Sequence, residues 1–179
     1  MPGTRARRVA ALVTIAALGA AGACRGGGAE EVSAEEWVQG FCDAYVELRE
    51  EFDGPEARLA ELEATGFDDQ GDALAAVDRS VDALDELRGL YGELVDRITE
   101  QQPEGDAGAQ LVADLRAARA ETGGAFGAAI DAFRRVDRSD PAQVGAAFDL
   151  ADDAPAPVAE AISDLPPDVQ AILDVGCEG

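Results

Sequence analysis

Asp72–Glu100 reads DALAAVDRSVDALDELRGLYGELVDRITE. Within it Leu74, Val77, Val81, Leu84, Leu87, Tyr91, Leu94 and Ile98 recur at steps of three and four. A turn of 3.6 residues gathers such positions on one face, so the spacing predicts an amphipathic helix. The opposite side carries Asp78, Asp82, Asp85 and Glu86, with Arg79 and Arg88 interleaved at helical spacing. Glu93 with Arg97 repeats that arrangement, as does Asp131 with Arg135 further on. Pairs of this kind mark solvated helix faces. A stripe this long must be covered by other helices, and the flanking sequence supplies them.

Upstream, Ser33 with Glu36 fits a capping box. Trp37, Phe41, Tyr45, Leu48 and Phe52 then form the apolar face of a medium helix, with Cys42 at its flank. Asp53-Gly54-Pro55 predicts its end, followed by a short helix bearing Leu59 and Leu62 before Gly66. Downstream, Gln102-Pro103-Glu104-Gly105 predicts a turn. A second long helix follows, through Leu111, Leu115, Ala118, Thr122, Phe126, Ile130 and Phe133. Gly123-Gly124 is a candidate bend in it. Ser139-Asp140-Pro141 signals a cap and a first helical turn. Three short helices are expected over 141–150, 157–165 and 167–175, the last closed by Gly176. No stretch alternates like a strand. The expected fold is all-α, an antiparallel helical bundle of two long helices and one medium helix with short C-terminal helices. With only six Phe, two Tyr and one Trp, its packing must rely on Leu, Val and Ala.

The N-terminus has a different character. Arg5, Arg7 and Arg8 precede an apolar run, Val9–Ala23, and Ala21-Gly22-Ala23 leads directly into Cys24. Fifteen residues fall short of the roughly 20 that span a bilayer as a helix, so the run predicts a cleaved export signal. An ordinary signal peptidase would also accept the Ala-Gly-Ala box. The cysteine directly after it resembles the lipoprotein signal of bacteria, although Ala21 stands where leucine is commoner. That resemblance implies lipidation at Cys24 and an acylated anchor in the cell membrane, facing outward. More than one chain would make the anchor stable. Arg7-Arg8 also suggests the twin-arginine route, but no aromatic-leucine pair follows it. The expected organisation is a signal peptide over 1–23, a lipidated cysteine with a flexible tether around Gly26-Gly27-Gly28 over 24–32, and an acidic helical domain over 33–179.

An exported chain meets oxidising conditions, and Cys42 and Cys177 are the two cysteines left after Cys24. They are expected to form a disulfide closing the domain, because a shared metal site would need histidine or further cysteines.

Charge excludes several functions. All 14 basic residues are arginine, and lysine, histidine and asparagine are absent. Eleven arginines remain beyond the signal against 37 acids, a net charge near −26. Nucleic acid and anionic head groups are repelled, whereas a cationic partner or a divalent cation is attracted. The same charge also keeps an exported protein soluble. The composition fits a high-GC genome; a halophile would share the acidity.

Missing histidine and lysine remove His-based triads and Schiff-base chemistry. Of Ser33, Ser80, Ser139 and Ser163, the first and third are better explained as helix caps. Among 37 acids some pair always stands at a glycosidase separation, and Trp37, Phe41 and Tyr45 are expected in the core rather than on a sugar. Asp68, Asp69 and Asp72 surround Gly71 like the start of a calcium loop. From Asp68, however, the sixth position is Ala73 and the twelfth Arg79, which breaks the EF-hand order. These three are weak metal candidates, and Asp149, Asp152 and Asp153 form a similar turn cluster; a solvated loop explains either. No enzyme activity and no cofactor are expected.

The Cys24 signal, the helix carrying Trp37, Phe41 and Cys42, and the terminal Cys177 together resemble small helical cell-envelope lipoproteins of actinobacteria. The resemblance implies membrane attachment and supplies no functional residue. The expected function is a lipid-anchored scaffold that binds another envelope protein. The alternative is a small-ligand or cation-binding lipoprotein that serves a transporter. A clustered exposed apolar patch would favour the first, and a concave pocket the second.

Overall fold

The computed structural model describes residues 29–65, 70–137 and 139–176. Helix dominates them: α1 (Ala34–Thr65), α2 (Gln70–Ile98), α3 (Asp106–Arg135), α4 (Pro141–Asp153), α5 (Ala156–Ser163) and α6 (Pro167–Gly176). Two short strands, β1 (Glu30–Val32) and β2 (Gln101–Pro103), complete the order, β1 before α1 and β2 between α2 and α3. The long helices lie side by side, α1 on α2 and α2 on α3. α4 and α5 pack on α3, and α6 packs on α1. The architecture is bundle-like and overwhelmingly helical.

The decisive periodicity is the one realised. On α2, Val77, Leu84, Leu87, Leu94 and Ile98 are buried, and Val95 and Ala83 fill the gaps between them. Leu111, Leu115, Phe126, Ile130 and Phe133 form the matching stripe on α3. Its predicted bend is not needed, because α3 runs unbroken through Gly123 and Gly124. The exposed-face pairs also form: Arg88–Asp85 at 2.7 Å, Arg97–Glu93 at 2.6 Å and Arg135–Asp131 at 3.0 Å.

α1 departs from expectation. It continues for 32 residues with Pro55 inside it. A proline removes one backbone hydrogen bond at a cost of about 3 kcal/mol, so burial must offset it. Leu48, Phe52, Pro55, Leu59 and Leu62 step by four, three, four and three across the predicted break, and only Leu59 of these is not fully buried. The stripe continues, and the helix follows it. Tyr45 also moves. It stands 44% exposed rather than in the core, and Val38, Cys42 and Ala44 join Trp37, Phe41 and Leu48 beneath.

The strands were not expected. β1 takes the last three residues of the predicted tether and pairs in parallel with β2, in the place of the predicted turn, in the register Glu30↔Gln101, Glu31↔Gln102 and Val32↔Pro103. A two-stranded ladder of this length is marginal alone. Here Val32 and Pro103 are buried, and the Trp37 indole donates to the Ile98 carbonyl at 2.9 Å. That bond satisfies an otherwise unpaired carbonyl at the end of α2 and ties both helix ends to the ladder. Gly105, with φ +87°, turns the chain from β2 into α3.

Helix starts follow side-chain chemistry. Ser33 Oγ accepts from the Glu36 N–H at 3.2 Å. At α4 the cap is Asp140, which accepts from the Ala142 N–H at 3.0 Å. Ser139 instead donates to Asp137 at 2.7 Å. Asp149, Asp152 and Asp153 lie on α4 itself rather than in a turn.

Candidate functional site

A cleft of about 590 Å³ opens beside α1, between α2, α5 and α6. On α1, Phe41, Tyr45, Arg49, Phe52 and Glu56 follow one another at steps of four, four, three and four, and all border it. This is the flank of the stripe that fills the core, so one helix serves both. Tyr91 and Leu94 of α2 form the floor, and Val158 and Ile162 of α5 with Leu173 of α6 form the far wall. Phe52 and Tyr91 meet edge to face, with centroids 5.0 Å apart, and Tyr91 passes on to Phe126 at 5.7 Å. The aromatic wall is therefore anchored in the packed interior.

Three charged groups stand at this apolar surface: Arg49, Asp53 and Glu56. All three are exposed. Burial, Glu56 and then Tyr45 raise the Tyr91 phenol above its ordinary value. The phenol therefore stays protonated and able to donate at neutral pH, and the Glu56 carboxylate lies within electrostatic reach of it. A smaller hollow of about 250 Å³ shares Glu56 and Tyr91 and runs towards Phe148 and Pro155.

Other features offer less chemistry. A trough of about 480 Å³ lies over Gly89 and Gly92 among Arg88, Arg97 and Arg119. Each of those guanidiniums is already paired: Arg88 with Asp85, Arg97 with Glu93 and Glu47, and Arg119 with Asp96. The Thr122 hydroxyl is buried without a hydrogen-bond partner among the described residues, but it borders none of these openings.

Cys24, Asp68, Asp69 and Cys177 lie outside the described residues, as does the side chain of Asp72. Cys42 is buried on α1 at 4% exposure. Among the described residues, no three His, Cys, Asp or Glu side chains are grouped to hold a metal ion. No helix among them is long and apolar enough to cross a membrane. The cleft itself was not anticipated. Its one signal in the sequence is a pair of charged residues, Arg49 and Glu56, on the helical line of Phe41, Tyr45 and Phe52.

No family model, no curated protein and no solved structure matches the chain.

Proposed function

We propose that this is a lipid-anchored, extracytoplasmic binding protein that carries out no catalysis and takes a small organic ligand in the cleft beside α1. The observation that carries the reading is the cleft. Its volume of about 590 Å³ lies within the range of roughly 300–1,000 Å³ typical of small-molecule sites. Such sites combine an apolar lining with a few polar groups, and here Arg49, Asp53, Glu56 and two phenols supply them. Binding to another envelope protein comes second. The large exposed apolar side chains among the described residues are Tyr45 and Val46 on α1 and Leu150 on α4.

Attachment follows from the Cys24 signal. With β1 starting at Glu30, six Cα-to-Cα steps across five intervening residues separate Cys24 from the fold. Even fully extended they reach about 20 Å. The ligand site would therefore stay close to the membrane, where a transporter could receive its cargo. Cys24→Ala is expected to move the protein from the detergent phase to the aqueous phase in a partition assay, with its helical circular dichroism unchanged. Continued partitioning into detergent would contradict the anchor.

We further propose that the domain is an antiparallel bundle closed by a Cys42–Cys177 disulfide. Cys42 is buried on α1, and α6 packs on α1 and ends at Gly176, the residue before Cys177 in the sequence. The ligand reading is tested by binding in the cleft. Ala159 is exposed on α5 at the cleft wall, so Ala159→Trp should fill the opening and abolish binding without disturbing the core.

A further inference from the structure

We propose that the cleft takes an organic cation with an apolar body, its charge held by aromatic ring faces together with the Asp53 and Glu56 carboxylates. This rests on the reading of the cleft as a ligand site and names the chemistry of its occupant.

The chain has nine aromatic residues, six Phe, two Tyr and one Trp. Four of them, Phe41, Tyr45, Phe52 and Tyr91, border this one opening, including both tyrosines. In a domain so poor in aromatics, economical packing would keep the rings inside, yet Tyr45 is left half in solvent at the cleft. An aromatic face carries negative quadrupole density and attracts a desolvated cation. A quaternary or alkyl ammonium among several rings is held in this way.

Charge points in the same direction. Two carboxylates border the cleft against one guanidinium. The whole chain adds a net charge of −23. A field of that sign concentrates cations at a concave, low-dielectric opening and repels anions. The competing occupant is an apolar anion held by Arg49, which makes no ion pair among the described residues. Such a ligand would have to approach against the field and lie beside Asp53 and Glu56. A cation meets only Arg49, four residues from Asp53 on the same helix and able to turn towards it.

The test is titration calorimetry on the purified protein in phosphatidylcholine nanodiscs, with empty nanodiscs as the blank. Three probes of similar bulk are compared: benzyltrimethylammonium, its uncharged isostere 2,2-dimethylpropylbenzene, and 4-phenylbutyrate. The cation should bind about tenfold more tightly than the isostere, an effect between those of an exposed and a desolvated cation–ring contact. Glu56→Gln should weaken it about fivefold, and Arg49→Gln should strengthen it. These side chains are exposed, so the variants keep the fold. If the isostere or 4-phenylbutyrate binds as tightly as the cation, or Arg49→Gln weakens cation binding, the cation proposal is overturned while the cleft remains a ligand site. Absence of binding by all three probes overturns both.

Discussion

Gly108→Ala is expected to destabilise the domain by on the order of 4 kcal/mol, placing it among the exceptional single substitutions. Gly108 lies in the first turn of α3, where the helix passes directly over β2. A Cβ built there would sit 1.8 Å from the Pro103 carbonyl oxygen and 2.5 Å from its carbon. Neither is the movable end of a side chain. Relief requires β2 to shift, but Pro103 is fixed on one side by its register with Val32. On the other, the Glu104 N–H donates to the Val32 carbonyl at 2.9 Å. The strain therefore falls on the ladder that joins the start of the domain to its middle. Urea denaturation of the variant checks this, with Gly124→Ala as control: Gly124 is an exposed glycine in the same helix with open space at its Cβ. That control should gain about 1 kcal/mol from helix propensity alone. A loss below about 1 kcal/mol in Gly108→Ala would contradict the close approach of α3 to β2.

Breaking the proposed Cys42–Cys177 disulfide should have an effect of similar size. It would close a loop of well over 100 residues, and the chain-entropy model assigns such a loop about 4–5 kcal/mol. The gain arises mainly because the bridge restricts the unfolded chain. Cys42→Ala should thus lower the denaturation midpoint while leaving native helix content intact. Cys42 is buried and alanine removes only a sulfur, so packing loss is a minor part. Non-reducing peptide mapping of the wild type should return Cys42 joined to Cys177. A Cys42 that alkylates in the native protein, or a variant as stable as the wild type, would contradict the bridge.

The parts of this fold that the sequence reveals are those whose signals are local and repeated. α2 announces itself because eight apolar residues keep the helical period and its acids meet arginines three or four positions away. Ser33 and Asp140 cap helices by contacts within three residues, and their neighbourhoods show it. The β1–β2 ladder has no such signal. Its partners are 71 positions apart, three residues each, and one of them is a proline. What makes the ladder is tertiary: Trp37 bonding to Ile98, and Gly108 letting α3 approach. Pro55 misleads for the opposite reason. Its local rule is sound, but burial along Phe52, Pro55 and Leu62 outweighs one lost hydrogen bond. Tyr45 misleads because it falls on the same helical steps as the core. Only the placement of α5 and α6, which cover its flank without filling it, leaves it at a cleft.

The most direct test of the account uses the two tyrosines, since Tyr45 and Tyr91 are the only ones in the chain and both border the cleft. Protein labelled with 3-fluorotyrosine gives two ring resonances, each a reporter of that site. Titrated with a panel of small aromatic and aliphatic molecules of either charge, at least one should shift both resonances along a single saturable curve, and the shift should vanish in Ala159→Trp. Resonances that no member of the panel moves, or that move equally in Ala159→Trp, would contradict a ligand site in the cleft.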